Sequence, residues 1–233
     1  MAYQDRQVVV TGGTGALGTA VVGALLEVGA VCHVPYRSDS EAKHFSYANN
    51  NKVSLIPLPD LADEAAVTAF YGGYDRLWAS IHIAGGFAYA PIATSDQALL
   101  VGQLMTNLVS AYLCSRAAVV AFRRAGGGGR IVNVAARQAL EPRLGANATA
   151  YAAAKDGVAA LTIALGEEVA KEDILVNAVA PSIMDTRANR ESMPKADFDA
   201  WPKTEEVAAV IAFLASPDNA VIRGAVIPVY GKA

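Results

Sequence analysis

Gln7-Val-Val-Val-Thr-Gly12-Gly-Thr-Gly15-Ala-Leu-Gly18 is the stretch that decides the fold. Its three consecutive valines read as a strand buried on both faces, as in a parallel sheet. The glycines then break the chain, and an Ala/Val/Leu-rich run opens a helix. Glycines at such a turn permit a tight reversal and close approach of the backbone to a pyrophosphate. The helix start adds free N–H groups and the positive end of its dipole. A glycine triplet alone marks only a turn. Between strand and helix, at the head of an alternating chain, it reads as a nucleotide site whose candidate contacts are Gly12, Thr14, Gly15, Leu17 and Gly18.

Outward from this turn, short apolar runs alternate with longer alanine-rich amphipathic stretches. Strands are expected at Gln7–Thr11, Val31–Pro35, Val53–Leu58, Leu77–Ile83, Arg130–Val134, Leu175–Val179 and Ala225–Val229. Helices are expected at about 15–29, 62–72, 95–124, 149–171 and 204–215. The alternation predicts an α/β fold, a doubly wound, Rossmann-like parallel sheet of about seven strands with helices on both faces. No composition break marks a second domain and no internal repeat is seen, so residues 1–233 read as a single domain. Gly126–Gly129 reads as a tight helix-to-strand turn, because Ile131-Val-Asn-Val follows at once. The one long irregular segment covers about 183–203. A structureless loop of that length is more often functional than accidental, and it reads as a substrate loop.

Composition removes several functions. Hydrophobic residues make up 53% of the 233, charged ones 18%, and the formal net charge is −3. No basic stretch offers a footprint for a phosphate backbone, so nucleic acid is not an expected partner. Apolar runs are broken by Gly, Pro or charge before the roughly 18 residues a membrane helix needs. Met1-Ala-Tyr-Gln-Asp-Arg6 lacks signal-peptide character, and a cytoplasmic protein is expected. Cys32 and Cys114 read as buried free thiols. His33, His44 and His82 show no ligand spacing, so no metal site is expected.

The second strand ends Val34-Pro-Tyr-Arg37-Ser38. A carboxylate at this edge would accept from the ribose 2′-hydroxyl of NAD(H), whereas an arginine suits a 2′-phosphate. Arg37 with Ser38 therefore points to NADP(H) as the preferred cofactor, with NAD(H) possible. The bland alternative is a solvated loop charge. Asp60 and Leu61 follow the third strand. Asp60 is placed to accept from an adenine amino group, or else to cap the next helix.

Thr149-Ala-Tyr-Ala-Ala-Ala-Lys155 puts Tyr151 and Lys155 four apart, on one face of a helix. An ammonium there can lower the pKa of a phenol, which is otherwise near 10. Bringing it to near neutral takes roughly three units, about 4 kcal/mol. The upstream strand, Ile131-Val-Asn-Val-Ala-Ala136, ends in alanines where a hydroxyl would be expected beside such a pair.

Taken together, the glycine turn, Asp60, Ala84-Gly85-Gly86, Asn107, Tyr151-x-x-x-Lys155 and Ala180-Pro181 with Thr186 resemble the short-chain dehydrogenase/reductase family. The resemblance covers essentially the whole chain. It implies Tyr151 as general acid for reduction, Lys155 as binder of the nicotinamide ribose, and Asn107 as holder of a relay water. Ala84, Gly85, Gly86, Tyr151, Lys155, Pro181, Ile183 and Thr186 would contact the cofactor. Departures accompany it. The glycine spacing is more usual in the family's extended branch, His82-Ile83 replaces paired asparagines, and Ser182 replaces a glycine. The usual serine after the fifth strand is missing: alignment on that strand gives Ala136, and a fixed count back from Tyr151 gives Gln138, whose amide is a substitute donor candidate. Asp185–Trp201 and Ala84-Gly85-Gly86-Phe87 are similar to the quinonoid dihydropteridine reductases, a branch that lacks this serine.

The leading expectation is an NADP(H)-dependent reductase acting on C=O or C=N. A dihydropteridine reductase-like activity and a catalytically silent nucleotide-binding protein are the alternatives. Met184, Phe198 and Trp201 are candidate apolar walls for the substrate, or ordinary packing of their loop. Small residues along 104–123 and 149–170, in light of the resemblance, imply helix pairing between subunits as dimers or a homotetramer.

Overall fold

Val8, Val9 and Val10 are all fully buried, and their alternating side chains enter different cores. They lie on β1 (Gln7–Thr11), the middle of a sheet that a computed structural model resolves for residues 3–233. The remaining strands are β2 (Val31–Tyr36), β3 (Val53–Pro57), β4 (Leu77–His82), β5 (Gly129–Val134), β6 (Ile174–Pro181) and β7 (Val226–Val229). They pair in parallel in the order β3-β2-β1-β4-β5-β6-β7. The expected doubly wound architecture is therefore present.

The longer helices are α1 (Ala16–Glu27), α3 (Glu64–Gly72), α5 (Ser110–Arg124), α7 (Thr149–Glu168) and α9 (Thr204–Leu214). Between them lie the shorter α2 (Asp39–His44), α4 (Gln97–Gln103), α6 (Arg137–Leu140) and α8 (Arg187–Ser192). Leu17, Val21, Val22 and Leu25 of α1 share a core with Val207, Ala208, Ile211 and Leu214 of α9. On the opposite face, Val67 and Tyr71 of α3 join Leu113, Ala118 and Phe122 of α5. The strand order reverses between β1 and β4, and there Ile83 N and Ala84 N both donate to Thr11 O, at 3.1 and 3.2 Å. A reversal of this kind opens a crevice at the carboxyl ends of the strands.

The turn at 126–129 matches expectation, and its cause is visible. Gly126, Gly127 and Gly128 all have positive φ, of 102°, 91° and 79°. A Cβ on Gly129 would stand 2.6 Å from the Phe122 ring. No other residue meets both demands.

Two expectations need correction. The segment 183–203 is not structureless: Thr186 caps α8 by accepting from Asn189 N, and Phe198–Ala200 forms a 3-10 turn. The helix expected at about 95–124 is present, α4 and α5 joining through a π-helical turn, Leu104–Val109, from Gln97 to Arg124, but its apolar run is longer than the sequence reading allowed. By length and composition this helix could cross a membrane, since no charge interrupts it before Arg116. Its inner residues lie instead against the sheet, where Ala118, Ala121 and Phe122 are buried.

A buried polar chain crosses the sheet. Tyr71 Oη and Ser80 Oγ lie 2.7 Å apart, and Ser80 Oγ lies 2.8 Å from His82 Nε2. His82 Nδ1 is 2.8 Å from Asn133 Oδ1, and Asn133 Nδ2 donates to Thr162 Oγ1 at 2.9 Å. None of these partners is charged, so burial pushes the His82 imidazole down to about 4. The unfolded chain takes up that proton near pH 6.5, before the folded chain does. Stability is thus fully present above about pH 6.5 and falls by about 3 kcal/mol as pH drops to about 4. Denaturant melts at pH 7 and pH 4.5 should show the loss, and His82→Asn should flatten it.

Candidate functional site

The glycine turn forms the floor of a cleft of about 620 Å³. Gly12 has φ +69°, and a Cβ on it would lie 2.6 Å from Ala84 N. A Cβ on Gly18 would lie 2.1 Å from Gly12 O and 2.5 Å from Gly13 Cα. These two glycines are demanded by the backbone itself. Gly15 differs: a Cβ there would meet only Gly12 O, at 3.4 Å. The space above Gly15 is open, α1 has no side-chain cap, and its first turn holds no acidic residue. Uncapped N–H groups facing an open cradle fit an anionic pyrophosphate.

Of the expected nucleotide contacts, Thr14, Leu17, Arg37, Asp60, Leu61, Ala84 and Gly85 line this cleft with Gly12, Gly15 and Gly18. Ser38 does not; its hydroxyl caps α2 by accepting from Glu41 N at 3.4 Å. Asp60 Oδ1 accepts from Ala62 N at 2.8 Å, while Asp63 takes the N-cap of α3. The capping alternative for Asp60 therefore falls. Glu41 lines the cleft as well, and its carboxylate holds Arg37 at 2.9 Å.

Deeper in, Asn107 and Lys155 converge on Gly85. A Cβ on Gly85 would lie 2.7 Å from Asn107 Oδ1 and 3.4 Å from Lys155 Nζ. Lys155 is 5% exposed and donates to Val134 O at 2.7 Å. Asn107 sits in the π-helical turn, a local widening common at functional sites. Its amide clamps Gly86: Oδ1 accepts from Gly86 N at 3.1 Å, and Nδ2 donates to Gly86 O at 3.0 Å. Nδ2 also donates to Gln103 O at 3.1 Å. The Asn107 side chain is thus committed to the loop.

Tyr151 and Lys155 share α7, as the spacing predicted, with Nζ 5.9 Å from the phenol ring centroid. The expected lowering of the phenol does not occur in the chain alone. Burial pushes Tyr151 up to about 12 and Lys155 down to about 8. Desolvation disfavours both charges, and the Lys155 ammonium is spent on Val134 O.

Ala135 and Ala136 are buried at the end of β5, with Ala136 at the N-cap of α6 and Gln138 inside that helix. Pro181 ends β6, and Ile183 follows it exposed. The Thr186 hydroxyl is occupied in capping α8. The segment after it is largely self-packed. Arg190 makes a twofold bond to Asp185 at 2.6 and 2.8 Å and lies 4.7 Å over the Phe198 ring. Phe198 packs on Trp201 with ring centroids 5.1 Å apart, and Trp201 is buried. Met184 packs against the core of α1 and α9.

The profile of the short chain dehydrogenase family matches residues 6–197. The chain belongs to the short-chain dehydrogenases. Members of the family with assigned activities align along almost all of it. The 3-oxoacyl-[acyl-carrier-protein] reductase of Pseudomonas aeruginosa is 30% identical, over 99% of this chain and 98% of the relative. The cis-4-hydroxycyclohexanecarboxylate dehydrogenase of Sinomonas cyclohexanicum is 33% identical, over 99% and 97%. In fold, the chain matches the structure of ElxO with NADP bound at a TM-score of 0.88, with 23% identity over 98% of both chains.

Within this short-chain dehydrogenase, two residues near the candidate site lie outside the contacts expected from sequence. Phe87 stands edge-on to Tyr151, with ring centroids 5.0 Å apart at 80°, and is 62% exposed. Glu41 meets Arg37 only because α2 exists, and a six-residue helix leaves no readable periodicity.

Proposed function

We propose that this oxidoreductase is a reductase preferring NADP(H), which delivers hydride to a C=O or C=N carbon with Tyr151 as the general acid. The convergence of Lys155 and Asn107 on Gly85, at the inner end of the glycine cleft, carries the reading. The glycine cradle fits a dinucleotide, which when bound supplies the hydride. The chain's own residues supply the rest. With its phenol held up at about 12, Tyr151 keeps its proton through neutral pH and is able to donate it. Lys155 remains cationic at neutral pH, its ammonium donating to Val134 O and standing 5.9 Å from the phenol ring centroid. Asn107 fixes the Gly86 loop beside both.

The lysine sets an alkaline limit. Its charge disappears as pH rises through about 8, so reduction should slow above that pH. Lys155→Arg keeps the charge and should move the limb upward in a kcat–pH profile.

A second reading is supported by Ala135 and Ala136, buried at the end of β5 and without a hydroxyl, where the family resemblance implies a carbonyl-binding serine. Losing one oxyanion donor costs on the order of 10²–10³ in rate. A quinonoid dihydropterin, whose reduction forms no alkoxide, avoids that cost. A third reading keeps the nucleotide and drops the catalysis. NADPH consumption against ketones, imines and quinonoid dihydropterin separates the three. Tight NADPH binding with no turnover of any compound would leave only the binding protein. Exposed Tyr112 and Val120 on α5 and Ile163 on α7 support subunit pairing through these helices, as a dimer or homotetramer. Light scattering on eluted protein measures the assembly.

A further inference from the structure

The edge of the cleft that would read the adenosine ribose holds two opposite charges. Arg37 Nη2 donates to Glu41 Oε1 at 2.9 Å, and Arg37 N donates to Glu41 Oε2 at 3.1 Å. Both residues line the cleft. Glu41 is the more enclosed, its side chain 29% exposed against 77% for Arg37. Ser38 and the first turn of α2 aim the carboxylate, since Ser38 Oγ accepts from Glu41 N. The guanidinium is therefore neutralised from within the chain.

The geometry points to Glu41 as a specificity-determining residue that competes with a ribose 2′-phosphate for Arg37 and accepts from an unphosphorylated ribose 2′-hydroxyl, giving one site for both dinucleotides. This rests on the dinucleotide reading above. A 2′-phosphate brings nearly two negative charges to a place already holding one, and must detach Arg37 from its partner. An exposed pair four residues apart is weak, so detachment is easy. The lasting penalty is the like charge that Glu41 leaves beside the phosphate. For a 2′-hydroxyl the same carboxylate is a ready acceptor, and Arg37 stays bound to it. The pair therefore narrows the discrimination that Arg37 alone would give.

Calorimetric titration of the intact chain with NADPH and NADH, and with the fragments adenosine 2′,5′-bisphosphate and adenosine 5′-monophosphate, tests this without catalysis. Glu41→Gln should tighten NADPH and the bisphosphate by about tenfold and weaken NADH severalfold. In an Arg37→Ala background NADPH should bind more weakly overall, yet Glu41→Gln should still tighten it, because the like charge is removed with or without the guanidinium. An unchanged NADPH-to-NADH ratio in Glu41→Gln overturns the assignment. So does NADH binding that Glu41→Gln leaves unweakened. Failure of wild-type protein to bind any of the four would overturn the dinucleotide reading itself, a distinguishable result.

Discussion

Tyr151→Phe is expected to lower kcat by roughly 10²–10⁴-fold, the usual contribution of a positioned general acid. Folding should not change. The phenylalanine ring keeps the edge-on contact with Phe87 at 5.0 Å, and no hydrogen bond within the chain depends on the phenol oxygen among the described residues. Dinucleotide binding should stay close to wild type, because the glycine turn and Lys155 are untouched. Steady-state kinetics beside a binding titration reads both quantities. Full activity in the variant with carbonyl substrates would remove Tyr151 from the acid role. A small loss with a dihydropterin and a large one with ketones would instead favour the substrate that forms no alkoxide.

The second large effect separates two glycines that look alike in sequence. Gly18→Ala drives a methyl to within 2.1 Å of Gly12 O and 2.5 Å of Gly13 Cα, both backbone atoms that cannot step aside. A loss of about 3 kcal/mol is expected, the upper end for overpacking. In a chain of this size that lowers Tm by roughly 6–12 °C. Gly15→Ala meets only Gly12 O at 3.4 Å, so Tm should hold. Its methyl enters the cleft where a pyrophosphate would lie, and affinity for dinucleotide should fall on the order of tenfold or more, about 1.4 kcal/mol at least. Thermal melts and titrations on the two variants give opposite patterns. Equal loss of stability in both would mean that Gly15, too, is held by the chain alone.

The fold was legible because a parallel sheet buries both faces of its strands. The run Val8–Val10 is the clearest case, with no polar alternation to confuse with a surface element. Every expected strand occurs, with ends shifted by a few residues. The elements that escaped were short. The six residues each of α2 and α8 rest on caps, Ser38 and Thr186, rather than on periodic apolar faces. At the site, spacing located Tyr151 and Lys155 but not the sense of the phenol's shift. That depends on Val134 O, a carbonyl from another strand that captures the ammonium, and on burial supplied by the whole domain. Asn107 was visible as a residue, whereas the π-helical turn that aims its amide at Gly86 has no signature in composition.

The strand order β3-β2-β1-β4-β5-β6-β7 also governs how the molecule is made. As the chain leaves the ribosome, β2 and β3 extend one side of β1, and every later strand extends the other. Each arrival joins an open edge, and none has to wedge between two strands already paired. Synthesis at about 5–20 residues per second therefore runs in step with assembly. After β3 has joined, one edge of the sheet is final, and only the other, a single strand, awaits the next to be translated.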